Sequence, residues 1–209
     1  MKFSENLQKL LPFGYLFLVV LGILKESIFY YQIDINILKY STLMDILISP
    51  IATLTSNLIV FVAIIIFAIT LYAYPAFLAK KRDKKWAQKL SGLKNVETLS
   101  EEEVSSHYMS FFAALLACGL FSFFIGIGLG QGKSLVKKIE SNTVKYDHTL
   151  NYNSGESEVI YLIDVNSIYY FYVAKGNKTI KIAPIGAVKN IELTLNRKLN
   201  DRSKTGRIE

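Results

Sequence analysis

The chain contains little of what stabilises small secreted domains or builds metal sites. It has one cysteine, Cys118, and two histidines, His107 and His148, among 209 residues. A single cysteine cannot form an internal disulfide, and two histidines are too few for a zinc site unless carboxylates complete it. The sequence therefore excludes a disulfide scaffold and a Cys/His metal module, and we expect no cofactor.

Charge is missing from three long stretches, although charged residues make up 20% of the chain. Apolar residues make up 51%, and the mean hydropathy of +0.29 is high for a soluble domain. A helix that crosses a hydrocarbon layer of ~30 Å needs about 20 apolar residues. The sequence therefore predicts an integral membrane domain over residues 1–142, with three transmembrane helices at about 8–30, 57–79 and 107–131.

The first apolar run also fits a cleaved signal peptide as a competing interpretation. The run Leu10–Leu24 is short and follows two lysines, but Lys25-Glu26-Ser27 comes next and no small-residue cleavage site is present. We therefore prefer an uncleaved anchor that extends toward Tyr31, with Lys25 reaching the membrane interface.

The distribution of Lys and Arg predicts the orientation of the spans. Segment 79–107, a basic hairpin, holds seven such residues, whereas segment 25–57 holds two. Positive residues near span ends favour the cytoplasm. We therefore place the basic hairpin and the N-terminus in the cytoplasm and the C-terminal domain on the outer side. Three lysines just after the third span argue the other way: Lys133, Lys137 and Lys138.

Residues 32–54 are too polar for a fourth span and too apolar for an open loop. They indicate a helix lying in the membrane interface, or a re-entrant turn ended by Pro50. In both cases Asp34, Lys39 and Asp45 should face the headgroups. A role for Asp45 as an ion ligand is a second interpretation.

The third span carries the most specific pattern in the sequence. Its helix should begin at Ser100, because Ser100 and Glu103 match a capping box. Small residues then recur at every fourth position, which lets helix backbones approach closely in a membrane. We expect packing against the chain's own spans, with self-association as the alternative. The predicted helix-packing residues are Ser110, Ala114, Cys118, Ser122, Gly126 and Gly130.

From residue 143 the apolar period changes from helical to two. Val144, Leu150 and Tyr152 alternate with polar residues, as in a half-buried strand. Turn residues at 153–155 and 175–178 separate further strands. The sequence predicts a small all-β domain over 143–195, an SH3-like five-stranded barrel or similar, followed by a flexible tail over 196–209.

Tyrosines crowd the second and third predicted strands. Because neighbouring residues of a strand point to opposite faces, the run 169–172 places aromatic side chains on both faces of the sheet. One face can be core, and the other is a candidate interaction surface. Ordinary strand propensity and base stacking are the alternatives. The candidate residues are Tyr161, Tyr169, Tyr170 and Tyr172.

The sequence places no nucleophile and base together for catalysis. Asp147 and His148 are neighbours in a predicted strand, so we expect their side chains on opposite faces. The thiol of Cys118 falls in mid-membrane, where a thiolate is disfavoured. The apolar runs Leu10–Leu24, Leu58–Leu78 and Tyr108–Gly130 also lack the acids and arginines that ion pathways need. These features argue against an enzyme or a transporter, and lipid headgroups explain the basic hairpin better than nucleic acid does.

Several segments carry a family resemblance: FYYQIDINILKYS from Phe29, DIL from Asp45, YYFY from Tyr169, IKIAP from Ile180 and VKNIEL from Val188. In these segments the chain resembles a loose group of uncharacterised bacterial multi-span membrane proteins with a small C-terminal β domain. The resemblance implies a bacterial inner (cytoplasmic) membrane, and it implies no catalytic or binding residues.

The sequence as a whole predicts a non-enzymatic integral membrane protein. Its β domain would mediate a protein or envelope interaction, as a scaffold or accessory subunit. The expected partners are the lipid bilayer and either another protein or further copies of the chain, but not nucleic acid. The alternative is a membrane-permeabilising defence or toxin-like effector with a ligand-sensing β domain. An enzyme that acts on lipid at the interface is a third hypothesis.

The predicted orientation can be tested with reporter fusions. A reporter that is active only in the cytoplasm should be inactive after Glu209 and active after Gly92, because seven basic residues hold segment 79–107 in the cytoplasm. Fluorescence of the two fusions at matched expression is the measurement. Activity after Glu209 would reverse the assigned topology.

Overall fold

The structure is a computed structural model that describes residues 2–56, 58–79, 84 and 100–194. The predicted basic hairpin lies largely outside the described residues, and the predicted tail lies wholly outside them. The helices are α1 (Lys2–Tyr31), α2 (Leu43–Thr55), α3 (Leu58–Ala79) and α4 (Glu101–Glu140), with a 3₁₀ turn at Ile37–Lys39. The strands are β1 (His148–Tyr152), β2 (Ser157–Val165), β3 (Tyr169–Ala174), β4 (Ile180–Pro184) and β5 (Val188–Leu193).

The chain divides into two compact units. The first comprises Met1–Lys25 and Leu47–Ile127, and the second comprises Glu26–Ile46 and Gly128–Glu209. The second is called the sheet unit below, because it contains all five strands. It also contains the last turns of α1 and α4, which come from the predicted membrane domain.

Two helices are long and apolar enough to cross a membrane. They contain the candidate spans Leu11–Tyr31, of 21 residues, and Glu102–Glu140, of 39 residues, with 18-residue windows of mean hydropathy 1.7 and 2.3. In α3 the described residues give the shorter apolar segment Phe61–Thr70. Length and composition therefore mark two of the three predicted spans as helices able to cross a membrane.

In the first unit, aromatic and polar contacts join the helices. The rings of Phe17 and Phe121 meet edge to face at 5.1 Å, and those of Tyr74 and Phe112 meet at 5.5 Å. Lys25 does not project freely toward the interface, because its Nζ donates a hydrogen bond to Ser49 Oγ at 3.2 Å.

Capping boxes begin two of the helices. At α4 the backbone N–H of Ser100 donates to Glu103 Oε2 at 2.8 Å and the N–H of Glu103 donates to Ser100 Oγ at 3.2 Å, which confirms the predicted start. At α2 the same exchange joins Thr42 and Asp45, at 2.8 and 3.2 Å. Pro50 lies buried inside α2 and does not end it, so the re-entrant turn ended by Pro50 is not observed.

The C-terminal ends of α1 and α4 have the same backbone motif. Asp34 and Asn142 have positive φ angles of 59° and 53°. The N–H of the residue after each one donates to a carbonyl five residues back, from Ile35 to Tyr30 at 3.0 Å and from Thr143 to Lys138 at 2.9 Å. This is the Schellman cap, with Asp and Asn where glycine is usual. It reverses the chain sharply at both helix ends.

The five strands form one antiparallel sheet in the order β4-β3-β2-β1-β5. Glycines with φ of 92° and 81°, Gly155 and Gly176, lie in the β1–β2 and β3–β4 turns, where residues with a side chain are disfavoured. A 3₁₀ turn at Ile185–Ala187 precedes β5. The five predicted strands are thus confirmed. The sheet is not closed, because β4 and β5 form its two edges, so the predicted barrel is not confirmed.

One face of the sheet packs on the helical segments of its own unit. Tyr30 and Ile37 lie against Phe171 of β3, and all three are buried. A second cluster joins Leu135 and Val173. The hydroxyl of Tyr30 donates a hydrogen bond to Asp164 Oδ2 at 2.9 Å. On this face of the sheet, the strands and the helix ends therefore share one continuous core.

A polar connection holds the β2–β3 loop to the segment before α2. Ser167 donates to Asp45 twice, from its backbone N–H at 3.0 Å and from its Oγ at 2.9 Å. Asn166 Nδ2 donates to the carbonyl of Tyr40 at 3.0 Å. Asp45 therefore caps α2 and anchors the loop with one carboxylate. Its predicted position facing the headgroups stays a prediction.

Gly132 of α4 lies tightly against the end of α1. A Cβ added there would lie 2.5 Å from Gln32 Cγ and 2.9 Å from the carbonyl oxygen of Phe29. A Cβ added at Gly126 would meet nothing within 4 Å. The close contact therefore falls beside the predicted ladder of small residues and not on it.

Replacing Gly132 by Ala should destabilise the protein, because the added methyl group overlaps Gln32 and the backbone of Phe29. Overpacking of this kind costs about 1–3 kcal/mol. Gly126→Ala in the same helix is the matched control, since both changes alter helix propensity equally. Thermal unfolding of the two variants in detergent gives the comparison, and equal melting temperatures would show that the contact at Gly132 is not tight.

Candidate interaction surface of the sheet

The sheet carries a core on each of its faces. Tyr169 and Phe171 face the helical segments, and the alternating residues Tyr170 and Tyr172 face away from them. The second face has its own buried residues, including Leu150 and Tyr172, with exposed fractions of 0% and 2%. Two cores explain why the strand has aromatic side chains on both sides.

The four tyrosines proposed from the sequence do not share one surface. Tyr161 and Tyr169 lie on the helix-facing side, where both are half-buried. Tyr170 is half-buried on the opposite face, and Tyr172 is buried there. Any surface that the four offer to a partner is therefore split between the two faces, with Tyr172 beneath it. Their role in partner binding stays a prediction.

A row of hydrogen-bonded polar side chains crosses the second face. The hydroxyls of Tyr152 and Tyr172 bond to each other, and Tyr152 also donates to Glu158 Oε2 at 3.1 Å. Glu158 Oε1 accepts a hydrogen bond from Lys181 Nζ. These residues come from β1, β2, β3 and β4, so the row links four strands. It lies at the margin of the second core.

The hydrogen bonds and burial of the row set the protonation states of its four side chains at neutral pH. The hydrogen bond from Lys181 holds the pKa of Glu158 below its usual value, and the same bond raises the pKa of Lys181. Burial raises the pKa of Tyr152 and Tyr172. The carboxylate is therefore charged and the two hydroxyls stay neutral, which suits a structural link better than proton transfer.

Asp147 and His148 are closer than the sequence predicts. His148 Nδ1 lies 2.8 Å from Asp147 Oδ1, so the expected separation onto opposite faces is wrong. The reason is that β1 begins at His148, and strand alternation does not apply to Asp147. The pair is an oriented acid–imidazole contact at the start of the sheet, but no nucleophile among the described residues shares it.

All six residues of the predicted ladder on α4 are exposed: Ser110, Ala114, Cys118, Ser122, Gly126 and Gly130. Val104, Tyr108, Phe112 and Phe124 of the same helix are buried. Within the part of the chain that the structure describes, nothing packs on the ladder closely. Packing within the chain is therefore not seen at these positions, and self-association stays a prediction.

Neither a metal site nor a known relative helps to assign the site. In residues 2–56, 58–79 and 100–194, no three His, Cys, Asp or Glu side chains come together as metal ligands. Comparison with known protein families, curated proteins and solved structures finds no match. The function must therefore be argued from the geometry alone.

Sequence reasoning missed the polar row and the Asp45–Ser167 contact. Glu158 and Lys181 belong to β2 and β4, which do not pair directly, so their spacing gives no signal. The start of α2 did carry a sequence signal, because Thr42 and Asp45 are three residues apart, as in a capping box.

Replacing Glu158 by Gln should lower stability by about 1 kcal/mol or less at pH 7, because the pair with Lys181 is partly solvated. The folded pKa of Glu158 is lowered, so its contribution is complete above the usual glutamate value of about 4.3 and is lost as the pH falls through the folded value. The variant should therefore lose less stability than the wild type between neutral pH and acid.

Glu156→Gln is the control, since Glu156 is exposed in the neighbouring turn. Melting temperatures of the wild type and both variants across the pH range give the measurement. If Glu158→Gln and Glu156→Gln follow the same pH curve, the row does not contribute to stability.

Proposed function

We propose that the chain is a non-enzymatic integral protein of a bacterial inner membrane, in which three transmembrane helices anchor an SH3-like β domain that binds a protein or an envelope component. The domain would act as a scaffold or accessory subunit. The following contacts and exposures support this proposal.

The exposed side chains of α3 support a third span. Seven large apolar residues of α3 are 41–82% exposed, and the sequence of the helix is apolar on all sides. A helix that is apolar on every side is typical of a membrane span, and such a surface would be unfavourable in water. The seven are Leu58, Ile59, Val62, Ile65, Ile66, Phe67 and Ile69.

The pairing of the first strand with the last supports the SH3-like description. β1 pairs with both β2 and β5, so the first and last strands of the domain lie side by side at one edge of the sheet. Such pairing is what brings five short strands toward a small barrel, with β4 and β5 left unjoined here.

The observation that carries the binding role is the pair of open edges. β4 and β5 each pair on one side only, and backbone groups of an edge strand can accept a further strand. The helix-facing side is occupied by the unit's own core, and Asp164 and Asp45 hold it in place. A partner would therefore meet a sheet whose edges are already in a fixed position.

The exposed ladder on α4 favours a second candidate function. If the β domain senses a ligand, self-association along the small residues of α4 would let several copies line a membrane defect. The chain would then be a membrane-permeabilising defence or toxin-like effector.

Photo-crosslinking in native membranes distinguishes the two functions. A benzoylphenylalanine residue in place of Lys189, which is exposed on β5, should give one discrete adduct with a partner. The same residue in place of Lys145, exposed before β1, is the control and should not give that adduct.

Equal adducts from both positions would contradict binding at the β5 edge. An adduct of twice the chain mass, together with loss of membrane potential on overexpression, would favour the effector.

A further inference from the structure

A cavity of about 430 Å³ opens within the sheet unit. Phe29 at the end of α1 and Tyr161 and Ile163 of β2 form one part of its wall. The last turns of α4 form the other part, with Gln131, Ser134 and Lys138. The volume lies in the range of small-ligand pockets, about 300–1,000 Å³. The cavity is therefore large enough for a headgroup-sized molecule.

The polar groups that line the cavity are all available to a ligand. Gln131, Ser134 and Lys138 are spaced three and four residues apart, so they lie on one face of α4. Across residues 2–56, 58–79 and 100–194, these side chains and the Tyr161 hydroxyl have no hydrogen-bond or ion-pair partner. The cavity therefore presents an ammonium group, an amide and two hydroxyls that the fold itself does not use.

The charge of the cavity favours an anion. Lys138 is the cation of the lining, and no acidic side chain lines the wall with it. Asp147 does not line the cavity, but its negative charge lies close enough to Tyr161 to influence its hydroxyl. Burial, with the negative charge of Asp147, raises the pKa of Tyr161, so its hydroxyl remains a proton donor at neutral pH. Three neutral donors and one cation match the oxygens of a phosphate group.

The position of the cavity favours a lipid over a free anion. Its polar lining begins at Gln131, directly after the charge-free stretch 108–130 of α4. Polar side chains at that point of a span lie at the level of the lipid headgroups. Phe29, Leu135 and Ile163 give the cavity an apolar wall, which suits the glycerol and ester region of a lipid and not a bare ion.

We propose that this cavity binds the phosphate headgroup of an anionic phospholipid, with Lys138 as the charged contact and Gln131, Ser134 and Tyr161 as neutral donors. The inference rests on the membrane anchoring in the proposed function, and it goes beyond that function in assigning a lipid site to the sheet unit.

The test uses the full chain in nanodiscs of phosphatidylcholine, alone or mixed with phosphatidylglycerol. The wild type should melt at a higher temperature with phosphatidylglycerol and keep this lipid in native mass spectra. Lys138→Gln should weaken the apparent affinity for phosphatidylglycerol about fivefold, the effect of one basic residue at a membrane surface. Lys189→Gln removes the same charge from an exposed site on β5 and should behave as the wild type.

Three results would overturn the proposal or its basis. Equal loss of the lipid effect in Lys138→Gln and Lys189→Gln would show general charge attraction only. Equal stabilisation by inorganic phosphate in phosphatidylcholine nanodiscs would assign the cavity to a free anion. Release of the wild-type protein from native membranes by alkaline carbonate would contradict the membrane anchoring itself. If the protein stays in the membrane but phosphatidylglycerol neither stabilises it nor remains bound, the lipid site alone is overturned.

Discussion

The side chain of Tyr30 joins the sheet to the end of α1, and the core of the sheet unit depends on this contact. Its ring meets Phe171 at 5.1 Å, its hydroxyl donates to Asp164, and only 1% of the side chain is exposed. A sheet of five short strands makes a marginal core by itself. The helix ends add to this core, and the compact unit contains them together with the five strands.

Polar contacts make this arrangement specific. Apolar side chains alone would tolerate several positions of the β2–β3 loop, since the hydrophobic effect has no direction. Asp45 selects one position, because burial acts to raise its pKa while the hydrogen bonds from Thr42 and Ser167 outweigh that effect and lower it. The carboxylate is thus charged at neutral pH and fully bonded. In the proposed function, a fixed loop and a fixed sheet would reduce the ordering cost of binding a partner at the edges.

Local patterns predicted the parts of the fold that depend on near neighbours. The capping box at Ser100 and the alternation around Leu150 need only a few adjacent residues, and both are present in the structure. The contact of Asp45 with Ser167 joins residues 122 positions apart, and no local pattern reports it. The glycines of α4 show the same limit. The four-residue spacing pointed to Gly126 as a close helix contact. The close contact lies at Gly132 because Gln32 packs against it, and the spacing along α4 does not report Gln32.

The separation of Tyr30 and Asp164 along the chain has a consequence for biosynthesis. The two residues are 134 positions apart, so Tyr30 leaves the ribosome long before β2 exists. During that interval Tyr30 and Ile37 have no sheet to cover them. Nascent chains that stop before β2 would keep these side chains uncovered, and chaperones and proteases act on unfolded chains of this kind.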